Sequence, residues 1–348
     1  MKQASAREGF RPWEYAIFAA ATLATALLCV CVGSVGLSPA TTAKVIWNAV
    51  WGLPMPEGVS SAIILSVRLP RVLCVALTGA SLAICGGAMQ GLLRNSLADG
   101  STLGVASGAS LGAVIAIAFG ITFPALPFAG TMLMAMAFGF LSLVIILSLA
   151  YRLDGSLSTN TIILVGVIWS MFVSSIISLI VTFFSDKVRN ITFWTMGSLQ
   201  GSDYVNALTL LIALLVFGGI ILAHTRELNA FAVGEDNARG IGVDVKRVKM
   251  TVLICVSALI GVCVSIGGAI GFVGLVTPHM VRLIVGPNHK RLLPASLFGG
   301  AIFLMLADLA ARVLLNPIEL PIGVVTSFIG SIAFILIFYR SRKEDAHA

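Results

Sequence analysis

Charge is what this chain most lacks. Only 11% of its 348 residues are Asp, Glu, Lys or Arg, whereas 58% are apolar. Soluble domains carry about 25% charged residues. One protein core of this length cannot absorb such an apolar excess, so a water-solvated globule is excluded and lipid is the expected solvent. The mean hydropathy of +1.02 agrees. Paired cysteine spacings are lacking too. Cys29, Cys31, Cys74, Cys85, Cys255 and Cys263 all sit inside apolar runs, which points away from a zinc or redox centre and toward small packing residues. The histidines His224, His279, His289 and His347 are scattered, so no metal cluster is expected. No Gly-x-x-x-x-Gly-Lys-(Ser/Thr) phosphate loop occurs, which excludes that kind of nucleotide-hydrolysing site.

What is present is a series of apolar runs. Crossing a bilayer takes about 20 apolar residues at a rise of 1.5 Å each. Candidate runs cover 15–36, 72–93, 103–119, 128–150, 161–184, 205–223, 248–267, 272–286, 295–315 and 321–339. The eighth is short and reads as partly re-entrant. The first has no small-residue cleavage site behind it and reads as a retained helix. The expected fold is an all-α membrane protein of about ten transmembrane helices with both termini cytoplasmic, forming a single domain over 1–348. Residues 1–14 and 340–348 would be cytoplasmic tails. With that topology only Lys44, Arg68, Arg71, Lys187, Arg189 and Arg312 of the 22 basic residues fall outside, as the positive-inside rule requires. The net charge of +7 therefore reflects topology and calls for no nucleic-acid partner. Trp47 and Trp51, four apart, suit one face of an interfacial helix in contact with membrane lipid.

Small residues recur every fourth position at Gly79, Ala83, Gly87 and Gly91, and again at Gly104, Gly108, Gly112, Ala116 and Gly120. Such stripes let helix backbones approach closely in a bilayer. The triplets 86–88 and 267–269 both read Gly-Gly-Ala, in spans of opposite direction, which suits an inverted repeat.

Several segments carry chemistry. Arg68-Leu69-Pro70-Arg71 precedes the second span on the outer side. It reads either as interfacial snorkelling or as a basic patch for an acidic partner. Residues 94–100 form a tight inner turn in which Asn95, Asp99 and Gly100 fit ordinary turn chemistry. Residues 228–243 contain Glu235 and Arg239, four apart in the favourable order, inside glycines 234, 240 and 242. A helix of one or two turns is marginal in water unless something packs on it, so a short cytoplasmic helix here suggests docking onto a soluble partner. Thr277-Pro278 reads as a helix N-cap and first helical residue. Asp308 is the sole acid well inside a span, and Arg312, four residues on, is its expected partner.

Taken in order, these segments resemble the FecCD-type permease family of ABC importers, which carry iron-siderophores, haem and cobalamin. The matching elements are Arg68–Arg71, the helix from Gly79 to Gln90, the turn Asn95–Asp99 with Leu103-Gly104, and Trp194-x-Met196-Gly197-Ser198-Leu199. Downstream come Gly234-Glu235-x-x-Ala238-Arg239-x-x-Gly242, Gly271-Phe272-Val273-Gly274-Leu275-x-x-Pro278-His279, Asp308-x-x-x-Arg312 and 317–323, Pro-Ile-Glu-Leu-Pro-Ile-Gly. Ser96, Gly100 and Ile332 replace prolines usual in the family. The resemblance implies a type II importer permease in the bacterial cytoplasmic (inner) membrane. It would be a dimer with a second permease subunit, working with two ATPase subunits and an extracytoplasmic substrate-binding protein. It implies binding-protein docking through Arg68, Arg71 and Arg312, ATPase coupling through Gly234, Glu235, Ala238, Arg239 and Gly242, and a cytoplasmic gate of Asn95, Leu97, Ser158 and Thr159. No catalytic residue, metal ligand or cofactor is expected in this chain, because ATP would be used by the partner. Ferric siderophore is the first expected cargo, with haem and cobalamin as alternatives.

The rival reading is an ion-coupled secondary transporter, which would place carboxylates near mid-membrane. Asp308 alone qualifies, and Arg312 is within its reach. An intramembrane serine enzyme would need a histidine base deep in a span, and none is placed there.

Overall fold

The computed structural model describes residues 9–33, 36–55, 59–122, 129–155 and 157–345, and among these every regular element is helical. The parts of the expected tails at 1–8 and 346–348 lie outside the described residues. Helix α1 spans Pro12–Cys31 and α2 Pro39–Trp51. Helix α3 (Val59–Ile63) runs through one π-helical turn, Ile64–Arg68, into α4 (Leu69–Leu92). Next come α5 (Val105–Phe119), α6 (Ala129–Leu153), α7 (Thr159–Phe183) and the short α8 (Val188–Thr195). Helix α9 (Tyr204–Ala213) passes through a second π turn, Leu214–Gly218, into α10 (Gly219–Ala223). Two short helices follow, α11 (Thr225–Val233) and α12 (Glu235–Gly240). The chain then forms α13 (Val245–Gly267), α14 (Val273–Val285), α15 (His289–Val313) and α16 (Ile322–Asp345).

Among the described residues, seven helical stretches are long and apolar enough to cross a membrane, and three shorter apolar helices, 105–119, 273–285 and 322–336, accompany them. Each matches one of the apolar runs in the sequence. Helix α14 has 13 residues, a rise of about 20 Å that falls short of a hydrocarbon core of about 30 Å.

The helix starts have local causes. Asp203 Oδ1 accepts the Asn206 N–H at 2.8 Å ahead of α9, and Asp244 Oδ1 accepts the Arg247 N–H at 3.0 Å ahead of α13. Both satisfy amides that a helix N-terminus leaves unpaired. Trp47 and Trp51 share a face of α2, with ring centroids 5.6 Å apart and both rings exposed.

Helix α4 is the centre of the molecule, packed on by α13, α14 and α15. The small-residue stripes are its contact surface. Gly79 meets the carbonyl of Gly300 and Gly300 meets that of Gly79, so α4 and α15 touch backbone to backbone. Gly91 faces the His289 ring, while Gly108 and Gly112 of α5 face Ser142 and Met134 of α6. A methyl group at any of these sites would overlap its neighbour.

One expectation is corrected. Thr277 does not cap a helix and Pro278 is not its first residue. Helix α14 begins five residues earlier, after Phe272, whose φ of 68° lies in the left-handed region. Pro278 is inside the helix. The Gly274 carbonyl that Pro278 cannot hydrogen-bond packs instead on Gly86 of α4.

Candidate functional site

Helices α4 and α15 run antiparallel, which sorts the charged residues to two ends. One end gathers Arg68, Arg71, Asp308, Arg312 and Glu319. Arg71 donates to Asp308 Oδ1 from Nε at 3.1 Å and from Nη2 at 2.9 Å, and from Nη1 to Glu319 Oε2 at 2.8 Å. Arg312 Nε lies 2.9 Å from Asp308 Oδ2, an ion pair without hydrogen-bond alignment. Asp308 is thus paired with Arg312, as the spacing suggests, and also with Arg71, 237 residues away, which the sequence does not reveal.

The arginines also complete α1. Arg68 Nη1 donates to the carbonyls of Val30 (2.8 Å) and Cys31 (3.1 Å). Arg312 donates to those of Cys29 (3.0 Å) and Val32 (3.3 Å). A helix C-terminus leaves its last carbonyls unpaired and carries partial negative charge, so two guanidiniums there satisfy both needs. All three arginines are buried. The rim-exposed side chains expected of a docking surface are therefore not what this end presents. Its arginines are turned inward because the α1 carbonyls, Asp308 and Glu319 hold them.

The opposite end holds α11 and α12. The expected short helix is present as α12, fenced by Gly234 (φ 125°) and followed by Gly242 (φ 91°). Ala238 is its buried residue. Arg239 pairs with Asp236 at 3.1 Å and approaches Glu235 only to 3.9 Å. The principal partner of Glu235 is Lys249 of α13, with Nζ 2.6 Å from Oε1. Lys249 is fully buried and also donates to the Leu157 carbonyl at 3.0 Å. The charge pattern places Lys249 on the cytoplasmic side and says nothing of its burial. Its helical register shows the burial, because Val245, Val248, Lys249, Val252, Leu253 and Val256 form one buried stripe.

The gate candidates form two local caps at this end. Asn95 Oδ1 accepts the Leu97 N–H at 2.9 Å, closing a turn that leaves Leu97 exposed. Ser158 is the N-cap of α7, its hydroxyl accepting the Thr161 N–H at 3.4 Å, and Asp154 Oδ2 accepts the Ser158 N–H at 3.0 Å. Thr159 is the first residue of α7. Next to the inner turn is a cavity of about 310 Å³ lined by Gln90, Arg94, Arg282 and His289 among others. Arg282 donates to Gln90 Oε1 at 3.0 Å and Gln90 donates to the Leu275 carbonyl at 3.1 Å, locking α14 to the end of α4. Among the described residues no group of His, Cys, Asp and Glu could hold a metal ion.

The model of the FecCD transport family matches residues 21–340. An uncharacterized ABC transporter permease protein of Bacillus subtilis (strain 168), YvrB, is 40% identical, with 91% of this chain and 90% of that protein covered. The cobalamin import system permease protein BtuC of Halobacterium salinarum is 37% identical, covering 88% of this chain and 83% of that one. A solved structure described as an inward-facing metal-chelate type ABC transporter superposes with a TM-score of 0.83 at 30% identity, over 95% of this chain and 100% of that one. Fold and sequence agree, and this multi-pass membrane protein belongs to the FecCD transport family of ABC importer permeases.

Proposed function

We propose that the chain is the permease subunit of an ABC importer that brings a metal chelate, ferric siderophore first, into the cytoplasm. ATP would be hydrolysed by two separate ATPase subunits. A second permease subunit would complete the pore, and an extracytoplasmic binding protein would deliver the cargo. The observation that carries this reading is α12. It is a six-residue helix between two spans, held from beneath by a buried lysine, with Asp236 and Arg239 facing solvent. Six residues do not hold a helix in water without a packing partner, and the polar face left open suits a groove on an ATPase. Membership of the family, and relatives that import cobalamin or a metal chelate, support the cargo class.

In this reading ten spans place both termini and α11–α12 in the cytoplasm, in the bacterial inner membrane. Asn95, Leu97, Ser158 and Thr159 form the inner constriction. Arg68, Arg71 and Arg312 serve docking indirectly, by fixing the outer ends of α1, α4 and α15 on which a binding protein would rest.

Reconstitution in proteoliposomes with the ATPase subunits and the binding protein tests the reading. Arg239→Glu should cut both cargo uptake and binding-protein-stimulated ATP hydrolysis while membrane insertion is unchanged. Uptake that persists after ATP depletion, driven by an imposed proton or sodium gradient, would overturn it in favour of a secondary transporter.

A further inference from the structure

Lys249 occupies a position that packing alone would give to an apolar residue. It lies in the buried stripe of α13 between Val248 and Val252, and its whole side chain is enclosed. An enclosed ammonium needs acceptors, and two are supplied from different parts of the chain. Glu235 Oε1, 2.6 Å away, belongs to the first residue of α12. The Leu157 carbonyl, 3.0 Å away, belongs to the residue preceding the N-cap of α7. One nitrogen therefore ties the short polar helix to the segment that starts α7.

Such a pair is poor evidence for stability, because apolar replacements of buried ion pairs are often as stable or more so. It does impose a fixed geometry, since a buried charge cannot drop its acceptors without a large desolvation cost. The strut has one open end and one loaded end. The Glu235 carboxylate is partly exposed, while Asp236 and Arg239 on the same helix face solvent. Leu157 has φ 53°, in the left-handed region disfavoured for a residue with a Cβ, and its side chain is fully buried. Backbone held in that region persists only where its surroundings fix it. The Lys249 ammonium on its carbonyl is one of those surroundings, and the Ser158–Asp154–Thr161 cap of α7 follows directly.

We propose that Lys249 is the positioning residue that passes a displacement of α12 to the start of α7, and so to Ser158 and Thr159. A shift of α12 carries Glu235 with it. The ammonium either follows Glu235, releasing the Leu157 carbonyl, or stays and drags Leu157. Both routes move the α7 cap. The inference rests on the reading that α12 is where the ATPase docks.

The test uses the assembled transporter in proteoliposomes, with Thr159→Cys as a reporter for a membrane-impermeant maleimide, with and without ATP. The described native cysteines are all buried, so the reporter dominates the labelling. In Lys249→Met the ATPase subunits should still bind and hydrolyse ATP. The ATP-dependent change in Thr159→Cys labelling should disappear, and uptake should fall by about tenfold or more, within the range of ordinary coupling free energies. Wild-type uptake with wild-type labelling changes in Lys249→Met would overturn the inference. So would loss of ATPase binding, which would make Lys249 part of the docking surface. If Lys249→Met fails to accumulate, Glu235→Gln decides: it keeps the shape of the contact and removes the charge, and preserved labelling changes in it would also overturn the inference. Arg239→Glu separates the two readings, because Arg239 touches neither Lys249 nor Leu157. Normal stimulated ATPase activity in that variant would sink the docking reading alone.

Discussion

Gly86 of α4 lies directly against the carbonyl oxygen of Gly274 in α14, with no room for a side-chain carbon between them. Pro278, four residues on, has no N–H to offer that carbonyl, so the oxygen is free to face the neighbouring Cα–H. Gly86→Ala should therefore be destabilising by overpacking, on the order of 1–3 kcal/mol or more. Gly261, inside α13 with open space around its missing Cβ, is the control. Gly261→Ala should leave melting of the detergent-solubilised protein unchanged or raise it. Equal melting temperatures for the two variants would refute the close crossing.

Asp308 neutralises two buried guanidiniums at once, so the three members of the cluster are not equivalent. Asp308→Ala leaves Arg312 without a carboxylate and Arg71 with Glu319 alone, and breaking a buried pair in this way costs roughly 3–5 kcal/mol. Arg312→Met leaves Asp308 with Arg71 and should cost less. Folded yield and melting temperature should rank wild type above Arg312→Met above Asp308→Ala. A reversed order would mean that the α1 carbonyls, not the carboxylate, are the main partners of Arg312.

Arg68 separates a structural from a docking role. Arg68→Gln should lower the melting temperature, because the carbonyls of Val30 and Cys31 lose a charged donor. The salt dependence of binding-protein affinity should be unchanged in the surviving folded protein. Direct docking predicts the converse: normal melting, weaker binding and a shallower salt dependence.

Topology is open to the same maleimide chemistry. Asp236→Cys should react only after the membrane is permeabilised, whereas Lys187→Cys should react in intact cells. Labelling of Asp236→Cys from outside would reverse the proposed orientation.

The proposed inner constriction makes one demand on a pair of permease subunits. Cysteines at Leu97 and Thr159, cross-linked between the two permease subunits, should block uptake. Full cross-linking with undiminished uptake would remove these residues from the gate.

The limits of the sequence are visible residue by residue. Apolar runs revealed the long helices because lipid selects length and hydropathy directly. The small-residue stripes revealed which faces meet, because close approach admits few alternatives. Asp308 with Arg312 was legible at a spacing of four, but Arg71 was not, since nothing local links residues 237 apart. The burial of Lys249 is hidden for a different reason: charge counting assigns it a side of the membrane, and only its register within α13 turns it inward. Thr277-Pro278 misled because a cap-like pair is ambiguous when a glycine-rich segment ahead of it can already supply the left-handed turn, here at Phe272. The inward-turned arginines were hidden altogether, because their acceptors are main-chain carbonyls of α1, and main-chain atoms leave no mark in a sequence.

Those carbonyls set a schedule for making the protein. The end of α1 is completed by Arg312, 280 residues later. At about 5–20 residues per second, the ribosome needs roughly 15–60 s to reach that arginine after finishing the first helix. Through that interval the carbonyls of Cys29 and Val32 must be hydrated at the membrane surface or covered by the insertion machinery, because hydrocarbon offers them no partner. Helix α1 is thus closed only once α15 has been made, and a chain truncated before α15 would keep an open helix end.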